Sequence, residues 1–160
     1  MDLEKWKELA VERTDVTVRE VWEILECLAG IDLVNLATGI VAQVNRRQRS
    51  KMLSNKALAK SIANGFTSPE HNAAAANIAA LWKHAELYEV CPDRIGDVNL
   101  VAMKRFVCPF PLCGRFAVAY LTAKESIRGE HKVYSLELFK IETLHKKGNA
   151  PCGDATCGAL

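Results

Sequence analysis

Four residues carry side chains able to move a proton at a phosphodiester and to hold charge as a fifth bond forms at phosphorus: His71, Arg105, Lys124 and Tyr134. His71 follows Thr67-Ser68-Pro69-Glu70, a helix start in which Ser68 is expected as the N-cap and Pro69 as the first helical residue. The imidazole then falls in the first turn, beside backbone amides able to hold an anion, and is the candidate general acid or base. A capping or solvent-facing histidine is the competing assignment. Arg105 and Lys124 fall in stretches of strand character, where a cation needs a partner or water. Alternation places Arg105 with Met103 and Val107, and Lys124 with Tyr120 and Thr122. They line a phosphate cleft, or they are edge residues paired with a glutamate such as Glu125 or Glu137. Tyr134 is otherwise a packing residue with a wet hydroxyl.

Two further groups carry chemistry. Arg46, Arg47, Arg49 and Lys51, followed by Lys56 and Lys60, form a basic segment suited to tracking a nucleic-acid backbone, or else a solvated helix face. Cys108 and Cys113 with Cys152 and Cys157 make two pairs of thiols, each pair separated by four residues. Together they are a candidate structural zinc site tying the tail to a hairpin loop, although the spacing is looser than the common two-residue pairs. Cys91, beside Pro92, is a further participant or a bystander. The chain has no glycine-rich phosphate loop, no His-Glu-x-x-His, no Gly-x-Ser-x-Gly and no dinucleotide fingerprint. No cofactor is expected for catalysis.

These residues must be positioned by a chain of 160 residues that is 49% apolar and 25% charged, the composition of a globular domain. A net charge of +2 excludes a general polycation. The opening Met1-Asp-Leu-Glu-Lys-Trp lacks the pattern of a secretory signal, and no window approaches a membrane span, so a cytoplasmic location in a host cell and no membrane partner are expected. Cys27 lies in an apolar helical stretch and reads as packing.

The first half reads as helical. Residues 3–12 form an amphipathic helix; Thr17-Val-Arg-Glu20 is a capping box opening a second helix that runs toward Ala29 and stops at Gly30, with Trp22, Leu25 and Leu28 inward. The apolar run from Leu33 to Val44 is expected as a buried helix. Ser54 to Gly65 is a helix closed by Asn64-Gly65 and locked by Phe66. The alanine-rich helix from His71 runs through Trp82 to about Tyr88, and Cys91 to Asp97 breaks it. Three strands follow, Val101 to Cys108, Arg115 to Glu125 and Lys132 to Thr143, with hairpin loops at 109–114 and 126–130. The expected fold is α+β: one domain over 1–144, helices over 1–90 packed on an antiparallel meander of three to four strands over 98–143. The tail, 145–160, is expected to be mobile unless held by metal or disulfide.

The order Lys51-Met-Leu-Ser-Asn-Lys-Ala, Lys60-Ser-Ile-Ala-Asn-Gly-Phe-Thr-Ser-Pro-Glu-His-Asn, Cys-Pro-Asp-Arg, Met-Lys-Arg-Phe, Leu-Thr-Ala-Lys-Glu and Val-Tyr-Ser-Leu-Glu-Leu resembles domains of phage and mobile-element polyvalent proteins. Those domains are grouped with the barnase, EndoU, colicin and RelE-like nuclease superfamily, and the resemblance spans about residues 45 to 143. It implies helices packed on an antiparallel sheet and metal-independent RNA cleavage at the sheet face through a 2′-hydroxyl nucleophile. His71, Arg105, Lys124 and Tyr134 match by position. The expected activity is therefore an endoribonuclease, a toxin or effector acting on host RNA such as tRNA, with a cognate inhibitor or phage protein as partner. The rivals are a non-catalytic accessory domain that binds nucleic acid or a partner protein, and a zinc-stabilised interaction module.

Overall fold

The structure, a computed structural model, describes residues 3–92, 100–128 and 131–143. The tail and its Cys152 and Cys157, the turn residues 93–99, and Gly129 and Glu130 of the last hairpin loop lie outside the described residues. The class is α+β: helices in the first half of the chain and a four-stranded antiparallel sheet in the second.

The helices start where side chains can satisfy their first amides. After α1 (Leu3–Leu9), α2 (Val18–Cys27) opens on a capping box at Thr17: its Oγ1 accepts the Glu20 amide at 3.1 Å, and the Glu20 carboxylate accepts the Thr17 amide at 3.3 Å. The apolar run at 33–44 is not the expected helix. Leu33–Val34 (β1) pairs antiparallel with Val41–Ala42 (β2), because Asn35 and Gly39 turn the chain. Gly39 takes a positive φ of 76°, and the fully buried Asn35 accepts the Thr38 amide at 2.9 Å. The Asn35 amide group also donates to the carbonyls of Trp82 and Ala85 at 2.7 and 2.8 Å, fastening the hairpin to a helix end 50 residues away. Asn35→Ala should therefore cost about 2 kcal/mol, since two buried carbonyls each lose a donor and Trp82 O keeps only the longer bond from the Ala85 amide; chemical denaturation measures it.

Asn45 caps α3 (Arg46–Met52), accepting the Gln48 amide at 3.1 Å, and Ser54 caps α4 (Asn55–Ala63). Past α4 the Gly65 amide bonds Ile62 O and the Phe66 amide bonds Ser61 O, the two bonds of a Schellman stop, with Gly65 at φ 91° and Phe66 buried as expected. The cap of α5 (Ser68–Ala76) is Thr67 rather than Ser68. Thr67 and Glu70 close a second capping box, which places Pro69 one position further into the helix. The alanine-rich helix also ends earlier than its composition suggests. It breaks at Asn77, resumes as α6 (Ile78–His84), and Ala85 turns extended. Glu86–Pro92 is then β3, whose Leu, Tyr and Val suit a pleated surface once β4 lies alongside.

This supplies the fourth strand. β3, β4 (Leu100–Leu112), β5 (Arg115–Arg128) and β6 (His131–Thr143) form a meander. The loop expected at 109–114 contracts to Cys113-Gly114, both at positive φ (46° and 86°), the twist a two-residue hairpin requires. Pro109 and Pro111 are tolerated because β3 ends opposite Val107, so this stretch of β4 is an edge. One sheet face buries Phe106, Phe110, Leu121, Leu136, Leu138 and Ile141 under the helices, and Trp82 meets Phe106 edge-to-face at 4.6 Å. The second face carries the polar residues described next.

Candidate phosphate site on the second sheet face

Strand register brings Arg105 and Lys124 to one face. Arg105 lies opposite Thr122, Met103 opposite Lys124, Thr122 opposite Glu137, and Glu89 opposite Arg105. Cross-strand partners share a face, so Glu89, Arg105, Thr122 and Glu137 form a row across all four strands, with Lys124 in the adjoining row. The alternation read from sequence therefore holds, and the two separately argued cations converge.

Their environment is polar and tight. The Arg105 side chain is 7% exposed, its Nε is 3.8 Å from Glu89 Oε2, and that nitrogen has no hydrogen-bond partner among the described residues. Lys124 Nζ is 3.7 Å from Glu137 Oε1, while the buried Glu137 Oε2 likewise lacks a hydrogen-bond partner. Two helices add cations: Lys51 from the last turn of α3 and Lys60 from the last turn of α4. Lys51 and Lys124 are in direct contact. That contact, then partial burial, pushes the Lys51 ammonium down to about 8, against the opposing pull of Glu137. Burial first, then the neighbouring Lys56, lowers Lys60.

A bulge completes the site. Lys140 pairs with Tyr120 and Leu138 with Leu121, leaving Phe139 as the extra residue of β6. Its ring centroid lies 3.9 Å from Lys60 Nζ and 5.3 Å from Arg105 Cζ. Lys51, Ser54, Lys56, Lys60, Glu137 and Phe139 enclose a cavity of about 220 Å³. Phe139 escaped the sequence reading because a bulge shifts parity and leaves no local signal.

The other sequence candidates lie elsewhere. His71 is fully buried, and both its ring nitrogens are engaged: Nε2 is 2.8 Å from Met52 O and Nδ1 is 2.7 Å from Ser61 Oγ. A carbonyl only accepts, so Nε2 bears the proton and Nδ1 accepts from the serine hydroxyl; Ser61 Oγ in turn accepts the Ile141 amide at 3.1 Å. The expected first-turn anion site at His71 is thus replaced by a clasp. Met52 follows Lys51 and Ser61 follows Lys60, so the imidazole fixes the two helix segments that present these lysines.

Tyr134 pairs with Glu125, in the register that alternates away from Lys124. It packs against the core, donates to Glu125 Oε1 at 2.5 Å and lies near Lys104; burial first, then Glu125, push its hydroxyl up to about 12. The basic segment divides: Arg46, Arg47 and Lys56 are exposed and Lys51 and Lys60 half-buried, whereas Arg49 is 8% exposed. Arg49 is thereby withdrawn from any backbone-tracking surface. Arg46 and Arg47 join Asp32, Arg128, Lys132 and Tyr134 around a second cavity of about 550 Å³.

Cys108 and Cys113 are free thiols in different settings. Cys108 lies in the core, its thiol pushed up to about 12 by burial, and Cys113 sits exposed in the β4–β5 turn. A water-soluble thiol reagent should accordingly modify Cys113 in the native protein and reach Cys108 only on unfolding; mass spectrometry of the labelled peptides measures both. Among the described residues no group of three or more His, Cys, Asp or Glu side chains is placed to hold a metal ion. No described helix is long and apolar enough to cross a membrane.

No curated protein and no solved structure matches the chain. The family model described as Large polyvalent protein-associated domain 3 matches residues 17–134, from the capping box of α2 into β6, and so includes Lys51, Lys60, Arg105 and Lys124. The chain therefore belongs to the large polyvalent protein-associated domain 3 family, domains of polyvalent proteins of the mobile-element type.

Proposed function

We propose that the second sheet face binds the sugar-phosphate backbone of RNA and cleaves it without metal. The observation that carries this reading is the convergence of Lys51, Lys60, Arg105 and Lys124, from two helices and two strands, around Glu137 and the Phe139 ring. Lysines pressed against one another are costly unless an anion joins them, and a phosphate supplies that anion. In the reaction Lys51 in its neutral form takes the proton of a 2′-hydroxyl. The 2′-oxygen then bonds to phosphorus, and the bond from phosphorus to the 5′-oxygen breaks. The Lys124 ammonium protonates the departing oxygen, leaving a 2′,3′-cyclic phosphate and a 5′-hydroxyl. Arg105 and Lys60 hold the charge that grows on the phosphoryl oxygens. His71 has no part in these steps and acts as the support behind the lysines.

The test is incubation of the purified protein with total RNA and a tRNA pool in the presence of a chelator. Cyclic-phosphate ends that vanish in a Lys51→Arg variant support the reading, and intact RNA across the panel overturns it. The second reading, a domain that binds RNA without cutting it, is favoured by the burial of His71, both of whose ring nitrogens are engaged away from this face; salt-sensitive binding without turnover is its signature.

A further inference from the structure

The 550 Å³ cavity is not separate from the phosphate site. Arg47 lines it and also acts electrostatically on Lys51, which lines the smaller cavity. On β6, Ser135 lines the larger cavity and pairs with Lys124, and Glu137, two residues on, lines the smaller. Two strand residues span about 7 Å. The two cavities therefore adjoin along α3 and β6.

The larger cavity is also the more available to an anion. Arg46, Arg47, Arg128 and Lys132 are exposed, and none has a carboxylate within 4.0 Å among the described residues, whereas Lys124 and Arg105 already face glutamates. Among the described residues Asp32 is the only acidic one of its lining, and one of its oxygens is held by Gln43 at 2.7 Å. A space of this size matches a small-ligand pocket and takes one unstacked nucleotide, while a duplex does not enter it.

We propose that the groove walled by Arg46, Arg47, Arg128 and Lys132 is a flanking subsite that holds the next nucleotide and phosphates of a single RNA strand whose scissile phosphate lies at Lys51 and Lys124. The inference rests on the RNA reading above and adds the substrate's form: a single-stranded oligonucleotide longer than a dinucleotide. Arg128 and Lys132 come from the β5–β6 hairpin, far in sequence from the basic segment, and join it only in the fold.

The experiment is fluorescence anisotropy with labelled single-stranded RNAs of two and twelve nucleotides, against wild type, Arg128→Ala/Lys132→Ala and Lys51→Met/Lys124→Met. For the twelve-mer, the hairpin variant should bind about tenfold more weakly. Its log K against log salt slope should be shallower by about 1.4, two phosphate contacts being lost. The dinucleotide should bind wild type and hairpin variant alike. Weakening by Lys51→Met/Lys124→Met but not by Arg128→Ala/Lys132→Ala would overturn the subsite and leave the RNA reading standing. Failure of wild type to bind any RNA would overturn both, and equal binding of a matched duplex would overturn the single-strand form.

Discussion

His71→Ala is expected to lower stability by about 3 kcal/mol, a fully buried side chain being removed together with both bonds of the clasp. The Met52 carbonyl loses its donor, and Ser61 keeps only the Ile141 amide. Urea denaturation gives the magnitude, and its pH dependence gives a sharper check. Burial holds the imidazole below its ordinary value of 6.5 in the folded chain, so between the two values the unfolded chain binds the proton and the folded chain does not. Stability is therefore full above about pH 6.5 and falls as the pH drops through that window, reaching a floor at the depressed folded value. The alanine variant should lack this part of the acid slope. A variant of wild-type stability, or one with an unchanged acid slope, would sink the clasp.

The sequence made the strand half of the site legible and hid the helical half. Arg105 and Lys124 were found by alternation, because a strand's period of two is local and survives whatever the neighbours do. Their convergence required register, which depends on Cys113-Gly114 closing a two-residue turn that composition presents as a six-residue loop. His71 misled because a helix start marks an exposed end only when nothing packs on it; here α3 and α4 do, through Met52 and Ser61. The run from Leu33 to Val44 misled for a related reason. Apolar content does not distinguish a buried helix from a hairpin, and a single buried asparagine decided the matter. The Thr17 capping box and the Schellman stop at Gly65 are readable because their donors and acceptors lie within a few residues of one another, whereas the cap of α5 falls one residue earlier, at Thr67, than the expected Ser68.

Lys51→Met is expected to abolish cleavage, by a factor on the order of 10²–10⁴, while leaving the fold as stable as wild type or slightly more so. The stability side follows from linkage. The folded chain binds a proton at Lys51 less readily than the unfolded chain does, about 8 against an ordinary 10.5. The ammonium thus opposes folding at neutral pH, and stability rises as the pH is raised from about 8 to 10.5. Removing the charge removes that opposition, as expected where a site holds its charges at a cost to the fold. The activity side follows from the same number. A base titrating at about 8 is roughly one-tenth neutral at pH 7, so the wild-type rate should climb close to tenfold per pH unit and level off above 8. Lys51→Arg, which keeps a permanent charge, should bind RNA and not cut it. In Lys124→Met the contact that depresses Lys51 most is gone, so any residual cleavage should show its rising limb shifted to higher pH. A pH profile that stays in place in that variant would remove Lys51 as the proton acceptor, whatever the loss in rate.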